Sequence, residues 1–270
     1  MTSEPVELLG IRPTRVAFLH AHPDDETLAT GHLIAWLTDS GCEVHIVTGS
    51  RGERGEVVPG PLSALEGTPA LVDERERELE RALTALAGDS VALHHVFLGA
   101  SGARADGLPA RRYLDSGMRW GADGFAEADG TADARSLSLA PLDEVTADLV
   151  AALDRVRPDL VVGYDERGGY GHPDHVRMRE AGFAAARQLD LPFAEVVESP
   201  AEAEAFHFDA APAAAAQTHV FRRDFAAQHP RVMAALGAHQ SQLRVDGDDV
   251  VHSGGQRQHV PSVETLRLVR

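Results

Sequence analysis

Short apolar runs alternate with longer helix-period segments over most of the chain, and this alternation leaves few folds open. Residues 15–20 (Arg-Val-Ala-Phe-Leu-His) form an apolar run suited to a buried strand. Residues 26–38 follow with Leu28, Leu33, Ile34 and Leu37 at helical spacing, and Gly41 closes that helix. Residues 43–48 read as a second strand carrying Val44, Ile46 and Val47. A charged helix over 73–87 and a strand over 91–98 come next. A helix over 142–156 stopped by Pro158, a strand over 159–164, a helix over 173–189 and a strand over 193–198 complete the series. The order β-α-β-α-β-α-β-α-β predicts the α/β class, with a mainly parallel sheet and helices on both faces. Right-handed crossovers then give a Rossmann-like, doubly wound core.

Two regions break the rhythm. Residues 99–140 are rich in Gly, Ala, Asp and Ser and read as a long loop. After residue 200 the pattern changes. Residues 200–216 are rich in Ala, Pro and Glu and read as a surface excursion, 218–222 as a strand and 223–237 as a helix. The polar, Gly-rich stretch 245–259 reads as loop or partly disordered. The expectation is one unit over residues 1–270, with the core at about 15–200 and a small C-terminal extension at about 201–270.

Charge and composition exclude several partners. There are 42 acidic against 25 basic residues, a net charge of −17 with histidines neutral. Such a surface repels nucleic-acid backbones and anionic membranes. No run approaches the roughly 18 apolar residues of a membrane-spanning helix. Residues 1–15 are acidic and lack the apolar centre of a signal peptide. One cysteine, Cys42, rules out an internal disulfide framework and a multi-cysteine zinc finger. The expected compartment is reducing and cytoplasmic, and the sequence is silent on oligomeric state.

The chemistry concentrates in two motifs. His20-Ala-His-Pro-Asp-Asp-Glu26 sits where the first strand ends and the first helix begins. Gly168-Gly-Tyr-Gly-His-Pro-Asp-His175 follows the fourth strand and opens the next helix. In open α/β sheets ligands bind at the carboxyl ends of the strands, so both clusters should arrive at one edge. His22 and Asp25, like His172 and His175, are three apart across a helix start, which turns each pair to one face. Imidazole with carboxylate suits zinc, and three protein ligands with an open position mark a catalytic site. A zinc-bound water has a pKa of about 7, and a carboxylate beside it can take the proton. Asp24 and Asp25 can divide these roles. His-Pro-Asp-Asp alone also reads as an ordinary helix start, with Pro and acids in the first turn. Helix capping does not explain two paired histidine sets. His32, His45, His94, His95, His207, His219 and His259 read as structural.

Ala21-His-Pro-Asp-Asp-Glu26 together with Gly171-His-Pro-Asp-His175 resembles the LmbE-like or PIG-L-like family, zinc-dependent deacetylases of N-acetylglucosamine conjugates. The resemblance covers about residues 15–190 and implies the same Rossmann-like core. It implies His22, Asp25 and His175 as metal ligands and Asp24 as the general base. It implies His172 as a stabiliser of developing charge, Asp174 as the residue that orients it, and Tyr170 as an oxyanion donor. Tyr164-Asp165, Gly169-Tyr170-Gly171, Gly52-Glu-Arg-Gly-Glu-Val57 and Asp115-Ser-Gly-Met118 look like the mycothiol-pathway branch. Ala238-His239 with Ser241-Gln242 resembles that branch's C-terminal helix. By analogy Asp115 and Arg75 bind sugar or inositol hydroxyls, with Arg77 and Arg81 as rivals to Arg75.

The implied function is metal-dependent removal of an N-acetyl group from a glucosamine conjugate, foremost N-acetylglucosaminyl-inositol. The implied route is attack by metal-bound water, with Asp24 as base. The implied partner is a small N-acyl amino sugar, and the cofactor is zinc, with ferrous iron the other candidate. A mycothiol S-conjugate amidase, or a deacetylase of another N-acyl sugar, would use the same site. Two histidines and a carboxylate also describe non-haem iron oxygenases, and the sheet edge also suits a non-catalytic sugar-binding module. Pure binding needs no base beside a metal, which the Asp24–Asp25 pair supplies. No G-x-G-x-x-G follows the first strand, so dinucleotide binding has no support.

Overall fold

A computed structural model describes residues 6–197 and 219–269. Along the chain run β1 (Arg15–His20), α1 (Asp25–Asp39), β2 (Glu43–Thr48), α2 (Pro69–Ala87) and β3 (Leu93–Phe97). Then come the two-residue strands β4 (Arg119–Trp120) and β5 (Ala126–Glu127), α3 (Leu142–Val156), β6 (Leu160–Gly163), α4 (Pro173–Gln188) and β7 (Phe193–Val196). The chain closes with β8 (Val220–Asp224), α5 (His229–Leu236), β9 (Leu243–Asp246), β10 (Asp249–His252), β11 (Arg257–His259) and β12 (Val263–Val269). The main sheet has the order β3-β2-β1-β6-β7-β12-β8. Its first five strands are parallel, and β12 runs antiparallel to both β7 and β8. The doubly wound α/β core expected from the alternation is therefore present, with β12 and β8 added at one edge through antiparallel pairing.

The period of two along β1 shows how the layers form. Val16 and Phe18 join the core under α1, α2 and α5, whereas Ala17 and Leu19 join the core under α3 and α4. A strand buried on both faces has little use for polar side chains, which is why β1 reads as a continuous apolar run.

The C-terminal part departs from the sequence expectation. Residues 245–259 are not a loop: β9, β10 and β11 form a three-stranded antiparallel sheet. Gly247, at φ +68, makes the tight turn between β9 and β10, the Gly-Asp signature of a two-residue hairpin. The helix expected over 223–237 starts only at His229, because Val220–Asp224 is drawn into the ladder with β12. β12 itself was not legible, since Glu264 and Arg267 interrupt its apolar pattern. The reading of 200–216 and of His207 lies outside the described residues. Residues 99–140 are mostly loop, with the β4–β5 ladder and a bridge between Leu114 and Ser136 inside them. No helix among the described residues is long and apolar enough to cross a membrane.

One buried carboxylate ties the added edge to the core. Glu195 on β7 is 1% exposed and accepts from Arg179 of α4 (Nη2 at 2.8 Å) and from Arg267 of β12 (Nη2 at 2.5 Å). Removing one partner of a buried ion pair leaves the others unpaired, at a cost of about 3–5 kcal/mol. Glu195→Ala should lower unfolding stability by about that much in urea denaturation, with Glu195→Gln milder. An unchanged midpoint would contradict this role.

Candidate active site

The two His-Pro-Asp motifs meet because β1 and β6 are neighbours. The chain leaves β1 toward β2 on one side, while β6 lies on the other, so the crevice at their carboxyl ends is the topological switch point. The first motif opens α1 there and the second opens α4. At each helix start acidic residues (Asp25 and Glu26, then Asp174) meet the positive end of the helix dipole. Pro173 at the first position of α4 costs no hydrogen bond.

His22 Nδ1 lies 3.3 Å from Asp25 Oδ2, His175 Nε2 lies 3.3 Å from Asp25 Oδ1, and the two nitrogens are 3.3 Å apart, so the three residues form a triangle with the two Asp25 oxygens at one corner. Ligands about 2.0–2.1 Å from a tetrahedral zinc stand about 3.3–3.4 Å apart, so the two nitrogens are spaced as one edge of such a tetrahedron, with the Asp25 carboxylate beside both. The far nitrogens are anchored as metal-binding imidazoles require. His22 Nε2 lies 3.2 Å from Asp174 Oδ2, and His175 Nδ1 lies 3.2 Å from the Gly168 carbonyl. Asp25 Oδ2 accepts from the His22 backbone N–H (2.8 Å) and from the Tyr164 hydroxyl (2.7 Å). Tyr164 in turn accepts from the Ala21 N–H (2.8 Å) and stacks on His175, with centroids 4.2 Å apart. Burial alone would raise the Asp25 carboxyl, but His175 and His22 hold it well below the usual range. The residues fit a divalent metal, zinc foremost. His172 also lies close, its ligating atom within 4.8 Å of those of His22 and His175.

Asp24 lies beside this triangle on the cavity wall. Its backbone sits at φ +119, ψ −32, a conformation that costs a non-glycine residue about 1–3 kcal/mol. A buried network holds it there. The Asp24 N–H donates to Glu26 Oε2 (3.0 Å), and Glu26 Oε1 meets Thr27 Oγ1 (2.5 Å) and His239 Nε2 (3.3 Å). Burial and the neighbouring Asp25 raise the Asp24 carboxyl to about 7, with His239 and Arg75 pulling the other way. His239 lies in the turn after α5, not in a helix as the branch resemblance implied. The same turn is pinned by Ser241, whose N–H and hydroxyl donate to buried Glu78 at 2.6 and 2.7 Å. Sequence reasoning gave Glu26, Glu78 and Tyr164 no role. The only signals were the place of Glu26 inside the first motif and of Tyr164 at the end of the fourth strand.

His172 caps α4, its Nδ1 accepting from the Asp174 N–H at 3.1 Å. That acceptor role puts the ring proton on Nε2. Burial, then His22 and His175, hold His172 well below its ordinary pKa, so it is neutral. The Asp174 carboxylate does not orient His172 as the resemblance implied. It reaches His22, and it is gripped by the Ser116 N–H (2.9 Å) and the Ser116 hydroxyl. The Tyr170 ring stands 5.1 Å from His175 and 5.6 Å from Trp120, and its carbonyl accepts from Ala126 of β5 (2.8 Å).

Arg75 and Asp115 line the same cavity, which has a volume of about 520 Å³. Arg75 is 4% exposed, unlike Arg77 and Arg81, which pair with Glu74 on the solvent side of α2. Its guanidinium donates to the carbonyls of Gly52 (2.5 Å) and Glu56 (3.0 Å). A side chain on Gly55 would collide with that guanidinium, so the small residue permits the approach. Asp115 accepts from the Gly117 N–H at 2.8 Å and stands 3.7 Å from His22 Nε2. Of the histidines read as structural, His32 lies on the cavity wall, bonded to Glu264 (3.1 Å) and His229 (3.0 Å).

Losing a hydrogen bond to a metal ligand typically costs about 10- to 100-fold in metal affinity. Tyr164→Phe should therefore keep the fold and weaken zinc binding by about that factor, measured by competition against a chelator. Unaltered affinity would mean that Asp25 needs no support from Tyr164.

Comparison with known proteins gives the family. The family model "PIG-L: GlcNAc-PI de-N-acetylase" matches residues 17–186. A 1D-myo-inositol 2-acetamido-2-deoxy-alpha-D-glucopyranoside deacetylase from Kineococcus radiotolerans is 42% identical over 182 residues, covering 66% of this chain and 47% of that protein. The chain thus spans about half the length of that relative. A deacetylase of the same name from Saccharomonospora viridis is 33% identical over 280 residues, covering 94% of each chain. The crystal structure of a deacetylase–teicoplanin complex shares the fold, with TM-score 0.60 and 22% identity over 95% of this chain and 98% of that one. The matched span contains both motifs and the whole metal triangle, and the chain belongs to the PIG-L, or LmbE-like, family of GlcNAc-PI de-N-acetylases.

Proposed function

We propose that this chain is a zinc-dependent amidohydrolase that removes the acetyl group from an N-acetylglucosamine conjugate, with N-acetylglucosaminyl-inositol the first candidate substrate. The observation that carries the reading is that Asp24 lines the same cavity as the clustered His22, Asp25 and His175. The names of the relatives support the substrate class. When bound, a divalent metal supplies Lewis-acid polarisation of the acyl carbonyl and brings water toward ionisation near neutral pH.

The chain's own groups do the rest. Asp24 takes the proton from attacking water and passes it to the departing amine. Its pKa of about 7 without metal places it close to the pH at which such transfers are efficient. The neutral His172, with its proton on Nε2, donates to the oxygen that gains charge, and Tyr170 adds a second donor from the cavity wall. Asp174 and Tyr164 fix the ligands so that none of these groups need reorganise during the reaction. Arg75 and Asp115 face sugar or inositol hydroxyls.

The test is release of free amine from N-acetylglucosaminyl-inositol by the zinc-loaded protein, with a chelated sample as control. Metal-dependent release is expected, and none from a folded, metal-loaded protein would overturn the substrate assignment. Asp24→Asn should lower kcat by about 10²- to 10⁴-fold with zinc still bound. Because the base must be ionised, kcat/KM should fall as pH drops through the Asp24 pKa. A bound cation favours the carboxylate, so that fall should lie below the metal-free value of about 7. Normal turnover by Asp24→Asn would assign the base elsewhere.

A further inference from the structure

A second cluster of metal-ligating side chains lies on the same sheet, away from the crevice. Glu43 and His45 are two apart on β2 and so share a face, and His94 on β3 is the register partner of His45. The two imidazoles stack 4.7 Å apart, with planes 26° from parallel. Glu43 Oε1 lies 2.7 Å from His45 Nε2 and 3.7 Å from His94 Nε2. One ligating atom from each of the three falls within 4.8 Å of the others.

The carboxylate is oriented before any ligand arrives. Its other oxygen, Oε2, accepts from Arg15 Nε at 3.0 Å, and Arg15 is anchored by the Val156 carbonyl at 2.7 Å. Oε1 is thereby turned toward both rings. His45 is mostly buried, its side chain 18% exposed, and keeps its place on the strand. His94 is half exposed and has room to close the longer distance. Two imidazoles and one carboxylate, with solvent at the remaining positions, form a donor set for a divalent first-row ion. Nothing in the amide chemistry proposed above uses these residues.

We propose that Glu43, His45 and His94 form a second divalent-metal site, for zinc or a similar first-row ion, separate from the catalytic centre. Glu43 and His45 lie in the first half of β2, whereas the catalytic motifs sit at the carboxyl ends of β1 and β6. Filling this site stabilises the fold by mass action and leaves turnover unchanged. The Arg15 charge beside Glu43 opposes a cation, so this site fills at higher free zinc than the catalytic one.

The test is equilibrium dialysis of the metal-loaded protein against rising free zinc, with bound metal counted by mass spectrometry. Two equivalents are expected for the unaltered chain, the second weaker. His94→Gln, at the half-exposed position, should bind one equivalent with unchanged turnover, and His45→Gln with His94→Gln should do the same. Near-ultraviolet circular dichroism and the retained first equivalent check that these variants fold. Saturation of the unaltered chain at one equivalent would overturn the proposal. So would a second equivalent that survives in both variants, which would assign it to His22, Asp115, His172 and Asp174 in the crevice.

Discussion

The pairing of β1 with β6 is the constraint on which the site depends. These strands are about 140 residues apart in sequence, yet Val16, Ala17 and Phe18 lie in register with Leu160, Val161 and Val162. Both strands are buried, so a slip of one residue would turn apolar side chains to the wrong layer. Fixed register at the strands fixes the positions of the two loops that leave their carboxyl ends. His22 and His175, separated by the whole first half of the fold, are thereby held 3.3 Å apart.

Electrostatics then divides the labour between adjacent aspartates. Asp25 faces two histidines, a tyrosine hydroxyl and a backbone N–H, and is held ionised. Among the described residues Asp24 has no such set of donors. Burial and the Asp25 charge raise it, while the Glu26–His239 pair behind it fixes its strained backbone. Two neighbouring carboxylates in such different environments suit the proposed division between metal ligand and proton acceptor, and so hydrolysis better than simple binding. The strain at Asp24 is sustained by groups from the C-terminal part of the chain, so the added elements around α5 belong to the site's support.

The sequence made legible the doubly wound core and the meeting of the two His-Pro-Asp motifs at one edge of the sheet, because both rest on local signals. The central strand runs are mostly apolar, and His-Pro-Asp motifs mark helix starts. The remaining features depend on distant contacts. β12 is a strand because Glu195 receives Arg267 across the ladder, and the polar residues that make the contact hide the strand in the sequence. The β9–β11 sheet hid within a polar stretch, although Gly247-Asp248 carried its turn signal. Asp174 follows His172 closely in sequence but serves His22, because helix geometry turns its carboxylate into the crevice. Glu26 and Glu78 look like ordinary helix acids until the turn at 239–242 lands on them.

The central claim is that His22, Asp25 and His175 hold the metal while Asp24 stays outside its ligand shell. An anomalous-difference map of zinc-loaded crystals, collected across the zinc edge, tests it most directly. The account predicts a peak capping the triangle, with Nδ1 of His22, the Asp25 carboxylate and Nε2 of His175 each about 2.0–2.2 Å away and Asp24 not coordinated. A peak ligated by His172 in place of Asp25, or by Asp24 itself, would contradict it.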